Sequence, residues 1–250
     1  MKADEKSRRI RRRLALAIPV RVRGCDSADH EWTEMTRLID VTPAGARLKL
    51  TRPTEVGRLL HVTIAMPRAM RCFDHAEDQY RVWSLVRNVN MLVPSEKSPA
   101  IMEAGLAFVG KYPPASFLAD PVRRFEIRGA SKSGLSVARE MADEVVSEVA
   151  ATDKRRETRH SIPVEVEVEV IGEKSDAPVI EKTVTENISR TGATVFTSLN
   201  IDRGRFVKIT SEHYKVSIFA AVRARRVGPD GIGRLHVEFA GAEWPLEGIE

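Results

Sequence analysis

Five residues in the second half of the chain have the types and spacing to bind an anion. Arg155 and Arg159 stand four apart on a polar run, and Asn187, Ser189 and Gly192 begin 28 positions after Arg159. An arginine fork is always charged and pairs bidentately with phosphate. It also matches the O6 and N7 edge of guanine and stacks on a purine face. Two arginines on an extended or irregular segment can therefore bracket a ligand. An Asn or Asp at a turn accepts from N–H donors or holds the turn itself. A short hydroxyl reaches a phosphate or caps a backbone N–H, and glycine allows a positive φ or a close backbone approach. The Asn187–Gly192 segment alone reads first as a tight strand connection that needs no ligand. The arginine pair upstream tips the reading towards binding.

The same constellation occurs twice. In the first half Arg9 and Arg13 lead into Ile18-Pro19-Val20, and Asp40, Thr42 and Gly45 follow; in the second half Arg155 and Arg159 lead into Ile162-Pro163-Val164. From Arg13 to Asp40 is 27 positions, and Leu106-Ala107-Phe108-Val109-Gly110 near the end of the first copy parallels Val237-Glu238-Phe239-Ala240-Gly241. A repeat of this length relates two domains rather than the units of a solenoid. The first copy is longer, and its excess over residues 67–79 reads as a hairpin insertion.

The elements that would position these residues are strands. Residues 163–170 run Pro-Val-Glu-Val-Glu-Val-Glu-Val, a strict period of two with valine to a core and glutamate to water. Ala46, Leu48 and Leu50 alternate with Arg47 and Lys49, and Val216 to Ala224 continue the rhythm in a longer strand. Gly228-Pro229-Asp230-Gly231 reads as the turn before the last strand. Each half offers about six short strands, which predicts a mainly β chain of two small antiparallel barrels or sandwiches. Leu135, Ala138, Met141, Ala142, Val145, Val146 and Val149 lie at helical spacing, so residues 132–151 are expected to form an amphipathic helix joining the halves. Its apolar stripe would pack on one barrel or, alternatively, form a dimer seam.

An RxxxR pair leading into a strand, followed by [D/N]xSxxG at the next turn, resembles the PilZ family. The second copy matches through Arg155, Arg159, Asn187, Ser189 and Gly192; the first matches through Arg9, Arg13, Asp40 and Gly45, with Thr42 in the serine position. The resemblance implies a six-stranded antiparallel barrel over residues 8–118, a helical linker over 119–153 and a second barrel over 154–245. It also implies a receptor for cyclic di-GMP, a dianion with two guanines, that regulates a protein partner and is not an enzyme. The alternative is a pair of ligand-silent barrels that serve as a protein-interaction module in motility, pilus or exopolysaccharide control.

Other classes find little support. The net charge of +5 equals the excess in residues 1–13, where seven basic residues face two acidic ones; the rest carries 33 of each sign. A basic arm touches any polyanion, but the body lacks the broad basic face of a dedicated nucleic-acid-binding domain. The six histidines show no HExxH or paired metal spacing, and no GxSxG elbow or phosphate-binding GxxxxGK[ST] loop is present. No metal or cofactor is expected. Leu14–Val20, the longest apolar run, has seven residues, too few to span a membrane. Cys25 and Cys72 form no metal-type spacing and read as reduced thiols of a cytoplasmic protein.

Overall fold

The computed structural model describes residues 18–92, 101–141, 158–172 and 178–246. Six strands make the first barrel: β1 (Pro19–Ser27), β2 (His30–Thr42), β3 (Gly45–Leu50), β4 (Leu59–Ile64), β5 (Tyr80–Leu92) and β6 (Ile101–Gly110). They close in the order β1-β2-β3-β6-β5-β4, antiparallel throughout. A short helix α1 (Ala115–Ala119) and a hairpin of β7 (Phe125–Ala130) and β8 (Ser136–Glu140) follow. The second barrel has β9 (Glu165–Val170), β10 (Ile180–Ile188), β11 (Gly192–Phe196), β12 (Phe206–Ser211), β13 (Val216–Val227) and β14 (Gly233–Phe239). Its closure, β10-β11-β14-β13-β12-β9, is the same circuit.

The period of two in the sequence is what builds these walls. Val164, Val166, Val168 and Val170 are buried inside the second barrel with Ile209, Ile218, Val222 and Leu235, while Glu165, Glu167 and Glu169 face outward. Val20, Val22, Leu48, Val62, Val82 and Phe108 fill the first barrel in the same way. The copies share two of their irregularities. The β2–β3 register shifts between Leu38 and Asp40, and the β10–β11 register between Thr185 and Asn187. The β5–β6 register shifts between Val86 and Asn88, and the β13–β14 register between Val222 and Ala224. A bulge re-aims the side chain beside it, and in each barrel the first of these shifts sits directly before the Asp or Asn of the motif.

Two expectations are corrected. The joining helix does not form over its described part: Ser131 to Gly134 make a turn, with Gly134 at φ +85°, and Ser136–Glu140 is strand β8 paired to β7. Residues 142–151 of that segment lie outside the described residues. Pairing wins because it lets Phe125 and Ile127 pack with Phe117 over Leu59 and Leu85, a second small core outside the barrel, while Leu135 packs against the barrel's main core. The dimer seam on that helix falls with it over the described part. Residues 67–79 do not form a hairpin either. After one 3₁₀ turn at Arg68–Met70, the segment wraps the buried Arg71 guanidinium, which donates to the carbonyls of Met66, Asp74, Glu77 and Asp78.

The barrels meet through an apolar patch of Met102, Phe206, Phe219, Ala221 and Ala240. Around it, His30 Nε2 donates to the Gly172 carbonyl at 2.9 Å and the Met91 N–H donates to the Gly241 carbonyl at 3.2 Å. No helix among the described residues is long and apolar enough to cross a membrane.

Candidate ligand-binding site

The lead-in to the second barrel is held by backbone and hydroxyl bonds. His160 and Ile188 exchange N–H···O bonds of 2.8 and 2.9 Å, and Thr185 Oγ1 donates to the Ile162 carbonyl and accepts from the Val164 N–H. These bonds put Arg159 beside the end of β10. Its Nη1 donates to Asn187 Oδ1 at 3.2 Å and to Thr194 Oγ1 at 3.5 Å. Thr194 lies opposite Asn187 on β11, and His236 lies opposite Thr194 on β14. Thr194 Oγ1 and His236 Nδ1 are 3.2 Å apart. A polar row of Asn187, Thr194 and His236 thus crosses three strands, with an exposed guanidinium at one end.

The cations that act on His236 are Arg226, Arg159 and Arg234, with Glu186 opposing them. Burial lowers the His236 pKa below its ordinary 6.5, and Arg226 and Arg159 push the same way. The imidazole is therefore neutral near pH 7, with its Nε2 buried and without a hydrogen-bond partner. Arg234 spans Glu186 at 2.7 Å and Asp230 at 2.7 Å and lies 4.9 Å over the Phe196 ring, so its charge is committed to the strand surface.

The turn is tied down from both sides. The Ser189 N–H and Oγ both donate to the Gly192 carbonyl, at 2.8 and 3.2 Å. Phe239 and Trp244 donate their backbone N–H groups to the carbonyls of Thr191 and Arg190. Gly192 is required by close approach rather than by a positive φ: a Cβ there would sit 2.5 Å from the Val237 carbonyl oxygen.

The first barrel places its copy on the same scaffold with different chemistry. Thr42 Oγ1 donates to the Gly45 carbonyl at 3.2 Å, as Ser189 does to Gly192, and a Cβ on Gly45 would lie 2.2 Å from the Leu106 carbonyl oxygen. Arg47 takes the position of Thr194 and Gly105 that of His236. Arg47 pairs with Asp40 at 2.8 Å and with Glu103 at 2.8 Å. Its cation is held between two carboxylates where the second barrel has a hydroxyl. Arg9, Arg13 and Arg155 lie outside the described residues.

Of the motif residues, the structure brings Arg159 and Asn187 together and puts Ser189 and Gly192 in the turn just beyond. Sequence reasoning missed Thr194 and His236. The signal was available for Thr194, which stands two residues after Gly192 and so on the same strand face. Nothing local pointed to His236, which reaches the row only through the β11–β14 register. Asn187 and His236 are half-buried and Thr194 is fully buried; clefts of about 100 and 180 Å³ lie elsewhere. Among the described residues no group of His, Cys, Asp and Glu side chains is arranged to hold a metal ion.

Residues 153–243 match the family model described as the PilZ domain. No curated protein matches the chain. Among solved structures the chain is similar to PlzA of Borreliella burgdorferi in complex with c-di-GMP, at 12% identity and a TM-score of 0.29, covering 94% of this chain and 85% of that one. It is also similar to the Bacillus subtilis inhibitor of motility, MotI/DgrA, at 12% identity and a TM-score of 0.29 over 92% and 90% of the two chains. A third is YcgR of Escherichia coli in complex with c-di-GMP, at 12% identity and a TM-score of 0.28 over 89% and 76%.

Proposed function

Since residues 153–243 form a PilZ domain, we propose that the chain is a cyclic di-GMP receptor whose second barrel takes the ligand on the Arg159–Asn187–Thr194 surface. The observation that carries this is the placement of the Arg159 guanidinium against Asn187 and Thr194 by the His160–Ile188 bridge. Arg155 and Arg159 supply charge and planar forks for the phosphates and guanine edges. Asn187 offers an acceptor, and Ser189 and Gly192 hold the turn against which the ligand lies. The first barrel, with Arg47 shared between Asp40 and Glu103, acts as an accessory and contact domain. The protein signals to a partner and is not a catalyst.

Ligand contacts order residues 152–159, the segment where the linker meets the second barrel, and this shifts one barrel against the other. Ordering by new arginine–phosphate contacts is an established kind of switch. Scattering profiles that superimpose with and without saturating ligand would remove this part of the reading.

The direct test is calorimetric titration of cyclic di-GMP into the wild type, an Arg155→Ala/Arg159→Ala variant and an Arg9→Ala/Arg13→Ala variant. Each lost charge-assisted bond costs about 1.5–3 kcal/mol, so the first variant should lose well over tenfold in affinity and the second very little. A folded wild type that does not bind would sink the proposal and leave the ligand-silent interaction module.

A further inference from the structure

The outer wall of the first barrel carries a concentration of unpaired positive charge that the ligand site does not use. On β1, Arg21 and Arg23 point outward; their cross-strand neighbours on β4 are Thr63 and His61, and beyond those on β5 stand Arg81 and Trp83. On the other side of β1, Met35 lies opposite Arg21 and Arg37 opposite Pro19. Strands about 4.8 Å apart put Arg21 and Arg81 within roughly 10 Å of each other. Among the described residues, Arg21, Arg23, Arg37 and Arg81 make no ion pair, unlike Arg47, Arg58, Arg123, Arg124, Arg223 and Arg234. Thr63 is nonetheless only 7% exposed, in the position flanked by Arg21 and Arg81. The crowding of charge is felt by His61: burial lowers its pKa, and Arg23, Arg21 and Arg81 lower it further.

Beside the arginines lies a cleft of about 180 Å³, floored by Gly24, His61 and Trp83 and walled by Phe117 and Leu118 of α1. Small-molecule sites run to roughly 300–1,000 Å³, so this one suits a single large side chain. His61 Nδ1 is buried in it without a hydrogen-bond partner. Glu31, at the lip, is turned to the Cys25 thiol at 3.7 Å. Two apolar side chains flank the charged wall in the open: Leu118 is 73% exposed and Met35 66% exposed.

We infer that this wall docks an acidic protein segment bearing one large apolar side chain, its carboxylates on Arg21, Arg23, Arg37 and Arg81 and its apolar side chain in the cleft beside Trp83. Charge complementarity selects an acidic partner. Arginine, methionine and aromatic residues together are the composition enriched in protein–protein interfaces. A single-stranded nucleic acid would need open ring faces in succession. The Trp83 indole is already engaged by Phe117 at 4.9 Å and His61 at 5.1 Å, and exposed Leu118 and Met35 offer a phosphate backbone nothing.

The test is selection of a random short-peptide display library on the full chain, followed by affinity measurement of the enriched peptides by fluorescence anisotropy. Enriched sequences should be acidic with one aliphatic or aromatic residue. They should lose at least about tenfold in affinity on an Arg21→Glu/Arg81→Glu variant and weaken on Leu118→Asp. Thermal unfolding of both variants checks that the barrels stand. Three results would overturn the assignment: no enrichment above the charge-reversed variant, enriched peptides without acidic bias, or a single-stranded oligonucleotide that displaces the peptides and itself loses binding on charge reversal.

Discussion

Arg223 of the second barrel grips Glu55 of the first with both prongs of its guanidinium, Nη1 to Oε1 at 2.9 Å and Nη2 to Oε2. Arg58 Nε donates to the same carboxylate at 2.9 Å while its Nη2 donates across the interface to the Gly204 carbonyl at 2.7 Å. Arg223 Nε in turn holds Glu238 at 2.8 Å, and Glu238 lies opposite Gly192 in the β11–β14 register. The turn of the ligand motif is thus two residues away from the ion pair that joins the barrels. Arg223 occupies the bulge of β13, which aims its side chain at the first barrel.

Removing Glu55 leaves two guanidiniums facing a low-dielectric interface. Loss of one partner of a buried pair costs about 3–5 kcal/mol, so Glu55→Ala should lower denaturant stability by that order. A Glu55→Gln/Arg223→Met double variant, which removes both charges, should cost less than the sum of the two single changes. Urea unfolding of the wild type, Glu55→Ala, Glu55→Gln, Arg223→Met and the double variant checks both statements.

The same carboxyl makes stability depend on acid. Burial alone would raise the Glu55 pKa, but Arg223 and then Arg58 outweigh it and hold it at about 2, against an ordinary 4.5. A depressed folded-state pKa adds stability above the unfolded value and loses it as pH falls towards the folded value. Thermal unfolding should therefore fall between about pH 4.5 and pH 2, and the Glu55→Gln variant should show a shallower fall over that window.

A Cβ on Gly192 would meet backbone rather than a yielding side chain. Gly192→Ala should cost about 1–3 kcal/mol and weaken cyclic di-GMP binding, because β11 must move off β14. Gly129→Ala is the control: nothing lies within 4 Å of its Cβ position. Paired melts and titrations of the two variants read the difference.

Titration should give one ligand per chain. Arg47, shared between Asp40 and Glu103, closes the first barrel's copy of the site. A stoichiometry of two that falls to one in the Arg9→Ala/Arg13→Ala variant would contradict this.

Protons and ligand should bind together. His236 is neutral near pH 7 because burial, Arg226 and Arg159 lower its pKa. A dianion beside it favours the imidazolium and raises that pKa, so affinity rises as pH falls through the interval between the free and bound values. Calorimetry at pH 5.5 and 7.5 should show tighter binding at the lower pH in the wild type, and the difference should shrink in His236→Gln.

What the sequence by itself determined was local or repeated. The Val-Glu alternation of 163–170 determined a strand with a dry face, because side chains on a strand point alternately to its two sides. The doubled motif marked two copies of one unit and brought Arg159, Asn187, Ser189 and Gly192 to notice. Only the tertiary structure decided the rest. Ala138 fits a helical stripe as well as a strand, and pairing with β7 beside Phe117 and Leu59 chose the strand. His236 joins Thr194, Arg47 is taken by Asp40 and Glu103, and Arg223 reaches Glu55 because barrel closure sets which residues face each other across strands. Those partners lie 42, 56 and 168 positions apart at their widest. A periodicity is written in neighbouring residues, whereas register and docking are set by the free energy of closing the whole wall.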